Sequence, residues 1–412
     1  MARTKPALRR VTAALLGLGL PVAASPSAAA ATTATVDGAR TSAGEAARDP
    51  RPPAVTHVRR GTVGGAFTAK AFIACAGLLA SMFLAQQPAA QAAEPPSSFQ
   101  WRSSGQLIAP KSDATHNIRG IKDPSVVYAN GRWHVFASTT NQNGSYNMVY
   151  LNFTDWSQAA NAKQYYLDQT AIGAGYKAAP HVFYFAPQRK WYLVYQTGNN
   201  ATYSTTTDIA NPQSWSTPKN FYAGGMPQII KDNIGKGYWV DFWVICDNAK
   251  CYLFSSDDNG HLYRSETTVA NFPNGVGDTV IAMADPARYP LWEAANVYKL
   301  TTSNTYLLIV EAIGTGGRRY FRSWTAPAIT GPWTALADTE AKPFAGAANV
   351  TGTTWSKDIS HGEAIRAGVD QKMLLNPCKL RYLYQGKDPG ATDPYNLLPW
   401  RLGLLTQTNS TC

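Results

Sequence analysis

The chain has 412 residues, 37 Lys and Arg against 26 Asp and Glu, and a net charge of +11. Residues 1–96 hold 10 of the basic and 4 of the acidic residues, so +5 remains for residues 97–412, with no basic run; that excludes a nucleic-acid partner. With 21 Tyr, 12 Trp, 33 Gly and 26 Pro, the composition favours short strands between turns, on a length sufficient for one core.

In chain order, residues 1–96 read as a leader. Arg9-Arg10 precedes an apolar run at 11–20, and a second run follows Lys70 and ends at Ala90-Gln91-Ala92. Each has the charged start, short apolar core and small-residue exit of a secretory signal. Both are shorter than the roughly 20 residues that span a bilayer. The expectation is an over-extended leader that is removed near Ala93 or Glu94. It leaves a secreted, extracellular, monomeric chain with no membrane span.

Residues 120–128 (GIKDPSVVY) place a carboxylate, Asp123, at the head of an apolar strand. Pro124 excludes helix before it. The pair Asn130-Gly131 then turns the chain into a second strand from Trp133. The same pattern returns at 179–184 (APHVFY), 241–246 (DFWVIC), 293–298 (EAANVY) and 361–366 (HGEAIR), at steps of 56, 62, 52 and 68 residues. Such a period, with several strands per unit, is the signature of a propeller. The expected fold is therefore all-β, a five-bladed β-propeller. The strand heads Asp123, Asp241, Glu293 and His361 would converge at one end of its channel. Three carboxylates in one place repel one another, which makes sense only for chemistry or for binding an ion.

Between the repeats, Trp156, Trp215 and Trp333 follow Asp- or Pro-shaped turns and are expected to cap the outer sheet edges. Residues 314–317 (GTGG) read as a hairpin turn, not a nucleotide loop. Cys246 and Cys251 flank a four-residue turn and suit a disulfide across a hairpin. Cys378 and Cys412 then pair by elimination.

The runs IKDPSVVYANGRWHVFAS, WVDFWVIC, LWEAANVY, DISHGEAIR and DPYNLLPW resemble glycoside hydrolase family 62, over about residues 99–408. The resemblance implies a secreted, inverting α-L-arabinofuranosidase that removes single arabinofuranosyl groups from arabinoxylan. Carried onto this chain, it implies Asp123 as general base and Glu293 as general acid. Asp241 becomes the carboxylate that orients the acid and keeps it protonated. Lys122 would reach furanose hydroxyls, and Met226 and Gln228 would wall the arabinose pocket. Tyr395 and Asn396 would touch the xylan. Arg366 would contact the arabinose or pair with a channel carboxylate. His361 would sit beside a structural calcium or sodium ion held largely by water. Where some members carry Trp after the WYLVYQ run, this chain has Thr197. Two rivals remain: another five-bladed glycosidase such as an arabinanase or xylosidase, and a propeller lectin. The unlike blade heads speak against the lectin.

Overall fold

The repeated strand pairs fold as hairpins. Ile118–Ala129 and Arg132–Asn141 run antiparallel and are joined by Asn130 and Gly131 alone. Both turn residues have positive φ, 50° and 74°, the geometry that lets a two-residue turn follow the strand twist and that Asn-Gly tolerates best. In this computed structural model residues 94–412 are described, apart from Asn199 and Thr411. The expected leader, but for its last three residues, lies outside the described residues.

Five sheets form the blades of a β-propeller. Blade one comprises Ile118–Ala129, Arg132–Asn141, Tyr146–Phe153 and Gln164–Tyr166. Blade two comprises Ala178–Phe185, Lys190–Thr197, Asn200–Thr206 and Lys219–Asn220. Blade three runs through Val240–Cys246, Lys250–Ser256, His261–Thr268 and Gly277–Ala284. Blade four runs through Glu293–Leu300, Tyr306–Ile313, Arg319–Ala326 and Thr334–Ala337. In blades two to five the innermost strand begins at or one residue before the head that the repeat marks, and in blade one five residues before it.

Blade five departs from the expected sequence of five self-contained repeats. Its inner strands are Ser360–Ala364, Arg381–Gly386 and Arg401–Gln407, but its outer strand is Trp101–Ser103, from the start of the described chain. Trp101 pairs with Gln407 and Ser103 with Leu405, with Val350–Thr351 added in parallel outside. The ring is thus closed by hydrogen bonds between the two ends of the propeller. Trp101 anchors this closing strand, buried between Phe99 and Phe344. The Cys378–Cys412 disulfide ties down the tail beside it, and Cys246–Cys251 joins two directly opposed residues of blade three.

The core lies between the blades. The innermost strands are apolar on both faces, as expected for strands flanked by neighbouring blades, and Val126, Val182, Val244 and Val297 are fully or almost fully buried. Seven tryptophans are buried and the other five half-buried. Asp155 caps the short turn that carries Trp156, and Trp215 packs edge-on against Phe136 of blade one, as expected of blade-capping aromatics. Among the described residues no helix is long and apolar enough to cross a membrane.

Candidate active site

Every innermost strand breaks register at the same end. The breaks fall between Lys122 and Ser125, Ala178 and His181, Val240 and Trp243, Glu293 and Asn296, and Ser360 and Gly362. At four of them one residue has positive φ: Asp123 48°, Ala179 50°, Asp241 59° and Ala294 55°. Non-glycine residues adopt that conformation at a cost, so something must hold it.

The holding group is a side chain from the preceding blade. The amide N–H of Asp123 donates to Gln385 Oε1 at 2.6 Å, that of Ala179 to Ser138 Oγ at 2.7 Å, and that of Asp241 to Gln196 Oε1 at 3.0 Å. The His361 N–H donates to Glu311 Oε2 at 2.6 Å. Each of these acceptors lies on the second strand of its blade, opposite the residue just before the bulge. Blade four is the exception. There the Ala294 N–H donates to Asp241 Oδ2 at 2.9 Å, so the cap comes from the innermost strand of blade three instead of its second strand. This ring of caps places the head residues, and it corrects the repeat count by one. Ala294, not Glu293, is the counterpart of Asp123 and Asp241, and Glu293 stands at the position of Lys122.

The heads line a cavity of about 1000 Å³, together with Lys122, Tyr146, Asp258, Arg319, Tyr395 and Asn396. Asp123 Oδ1 lies 3.3 Å from Lys122 Nζ and 3.5 Å from His361 Nδ1. Lys122 also donates to the Tyr395 hydroxyl at 3.2 Å and lies over the Tyr146 ring. Burial opposes its charge, yet Asp123 beside it keeps the ammonium well above its ordinary range. His361 Nδ1 is 3.4 Å from Asp241 Oδ2. Burial would discharge this imidazole, but Asp241 and Asp123 outweigh it and raise the ring to about 9. In turn the imidazolium holds Asp241 below the usual carboxylate range despite its burial. Asp123 and Asp241 thus share one cation.

Glu293 has a separate environment. Its Oε1 accepts from Arg319 Nη1 at 2.8 Å, and the same nitrogen reaches Glu311 Oε1 at 2.8 Å. Glu293 and Glu311 are direct cross-strand partners, so one guanidinium bridges two carboxyls that would otherwise repel. Burial pushes Glu311 up to about 7 against the pull of Arg319. Sequence reasoning missed Arg319, Glu311 and Asp258, because none heads a repeat. A signal existed for Glu311 and Arg319, since both are charged residues on strands that are otherwise largely apolar.

Of the expected binding residues, Lys122, Tyr395 and Asn396 line the cavity, and Asn396 accepts from the Tyr146 hydroxyl at 2.9 Å. Met226 and Gln228 do not. Gln228 opens a short helix, Gln228–Asn233, is exposed, and bonds Asp232; Met226 packs on the core. Arg366 takes the second of its two expected roles. It lies buried in the channel, its Nε 2.7 Å from Glu363 Oε1, and it donates to the Val182 carbonyl at 2.6 Å. Thr197 reaches the cavity wall and bonds Thr202, with no aromatic face to offer.

Below the cavity floor lies a space of about 10 Å³ bounded by His361, Asp241, His181, Asn296 and Glu363, enough for one water-sized occupant. His181 donates through Nε2 to the Val244 carbonyl, and its Nδ1 is buried without a partner. Burial holds the ring well below its usual value, so this nitrogen carries a free lone pair. Calcium and sodium take oxygen ligands, and His361 would have to lose its proton before it could hold an ion directly. No cage of three His, Cys, Asp or Glu side chains exists among the described residues.

The sequence matches Glycosyl hydrolase family 62 over residues 100–406. It is 46% identical over 313 residues to α-L-arabinofuranosidase C of Cellvibrio japonicus, a match covering 74% of this chain and 47% of that protein. The chain thus spans about half the length of that curated relative. The catalytic domain of a Coprinopsis cinerea α-L-arabinofuranosidase of the same family is 64% identical, with a TM-score of 0.75, over 77% of this chain and 99% of that one. A Podospora anserina α-L-arabinofuranosidase in complex with cellotriose is 57% identical, with a TM-score of 0.74 over 77% and 99% of the two chains. A family hydrolase in complex with xylotriose is 56% identical, with a TM-score of 0.73 over 76% and 98%.

Proposed function

The chain belongs to glycosyl hydrolase family 62, and on that premise we propose that it is an exported, monomeric, inverting α-L-arabinofuranosidase that cuts single arabinofuranosyl groups from the xylan backbone of arabinoxylan. One observation supports the mechanism above others. Asp123 and Glu293 come from non-adjacent blades, face one cavity, and have different cationic partners. The two carboxyls are thereby prepared for opposite tasks.

In this reading Asp123 is the base. Set between the Lys122 ammonium and His361, it takes a proton from water as the water oxygen bonds to the anomeric carbon. The bond to the xylose oxygen breaks on the other face, and that oxygen takes its proton from Glu293. Asp241 does not touch the leaving group. It holds the Ala294 amide, and so fixes the backbone one residue beyond the acid. Glu293 itself is held by Arg319, which fixes its side chain in the cavity. Tyr395 and Asn396 at the rim are assigned to the xylan chain, in keeping with the xylotriose held by a solved relative.

The calcium or sodium ion is assigned to the small space under the floor. There it would lie beside His361, held largely by water, supplying fixed charge and no reacting group. No step of the reaction passes through it.

Incubation with arabinoxylan, read by chromatography of the products, tests the proposal. Free arabinose with an intact xylan backbone is expected. Release of xylose or xylo-oligosaccharides would favour the xylosidase reading, and binding without release the lectin reading.

A further inference from the structure

Blade three carries an acidic pair, Asp257-Asp258, in the turn between Lys250–Ser256 and His261–Thr268. The two residues do different things. Asp257 builds the turn. Its Oδ1 accepts from the Asn259 and His261 amides at 2.8 and 3.1 Å, and its Oδ2 from His261 Nδ1 and the Tyr263 hydroxyl at 2.7 and 2.8 Å. Asp258 is held in the left-handed region at φ 52°, with its carbonyl accepting from Arg288 Nε at 2.7 Å. So fixed, it lines the same cavity as Glu293 with 9% of its surface exposed, its carboxyl within hydrogen-bonding reach of the Glu293 carboxyl. Its Oδ1 is buried with no partner.

A hydrogen bond between two carboxyls needs a proton, since two carboxylates only repel. The charges in this corner point the same way. Glu293, Glu311 and Asp258 lie near Arg319, which is already divided between Glu293 and Glu311. His361 is taken by Asp241 and Asp123, and Lys122 by Asp123. The corner is short of cations, which favours one carboxyl staying neutral.

We propose that Asp258 is the proton-sharing partner of Glu293, a positioning residue that keeps the acid's proton in the cavity until the leaving oxygen takes it. Burial first, then the charges of Glu293 and Asp241, push the Asp258 carboxyl far above its usual range, with Arg319 pulling the other way. At rest one proton lies between the two groups. When the glycosidic bond breaks, the leaving oxygen takes that proton through Glu293. Both carboxyls are then ionised beside Arg319, and a proton from solvent restores the pair. The proton that Asp123 took from water is released in exchange, so the cycle balances. Lys122 and Tyr395, which also line the cavity, are electrostatic neighbours of Glu293.

This inference rests on the reading of Glu293 as acid. Its test is Asp258→Asn, since Asn tolerates the left-handed backbone and still donates to Glu293 but carries no exchangeable acid proton. Wild type and variant are compared on arabinoxylan and on an aryl arabinofuranoside with an acidic phenol leaving group. The variant should lose the alkaline limb of its pH–rate profile by about one pH unit or more. Its kcat should fall on arabinoxylan and change little on the aryl substrate. An unchanged limb, or equal losses on both substrates, overturns the proposal. If wild type releases arabinose from neither, the functional reading fails, and a second measurement still judges the pair. A group that folds with its proton held above the unfolded range gives stability present at low pH and lost as pH rises toward its folded value. The wild-type melting temperature should therefore fall from about pH 5 to about pH 9 more steeply than that of Asp258→Asn, the variant being the more stable at the alkaline end. Parallel curves would refute the shared proton.

Discussion

The two ends of the channel hold the same kinds of side chain and use them differently. At the deep end, Glu363 and Arg366 form a pair, each side chain 1% exposed, with no cavity beside it large enough for a sugar. The guanidinium also donates to the Val182 carbonyl and to Met373 Sδ, and Glu363 Oε2 accepts from the Val126 amide and the Ser125 hydroxyl. One cation meets one anion, and three blades are stapled together. At the mouth, Asp123, Asp241, Glu293, Glu311 and Asp258 share Lys122, His361 and Arg319 round a cavity of about 1000 Å³. There anions outnumber cations, and the cluster opens onto the cavity. A balanced, sealed pair is structure; an unbalanced cluster open to a cavity is chemistry.

The comparison breaks first, and most severely, at the base. Asp123→Asn should lower kcat/KM by about 10²- to 10⁴-fold on arabinoxylan and on an aryl arabinofuranoside alike, because both need an activated water. A loss on one substrate only would remove Asp123 from that role. Glu293→Gln should cost a similar factor on arabinoxylan and much less on the aryl substrate, whose leaving group needs little protonation. At the deep end the readout changes from rate to stability. Arg366→Met leaves Glu363 charged and unpaired, which should cost about 3–5 kcal/mol in urea unfolding while the pH–rate profile keeps its shape. A moved pH limb would make the two ends one site. The smallest effect belongs to Gln228→Ala, away from both ends: stability within about 0.5 kcal/mol of wild type and an unchanged KM. A raised KM would return Gln228 to the sugar pocket.

The fold was readable because each blade repeats one apolar strand pair, and the heads Asp123, Asp241 and His361 could be counted from it. The count slipped by one at Glu293, because a bulge is a backbone event and leaves no mark in a period of 52 residues. Ring closure by Trp101–Ser103 was hidden for a related reason: a three-residue strand that pairs with the far end of the chain carries no local pattern. Arg319, Glu311 and Asp258 lie on second strands, third strands and turns, where the repeat makes no claim. Only packing brings them to Glu293. Arg366 was left between sugar and carboxylate because sequence does not say how deep in the channel a side chain sits.

The central claim is that Asp123 activates water across the furanose ring from Glu293. Proton NMR of the sugar first released from arabinoxylan tests it most directly, followed from the start of the reaction before mutarotation. The account predicts that β-L-arabinofuranose appears first; α-L-arabinofuranose as the first product would contradict it and require Asp123 to be a nucleophile.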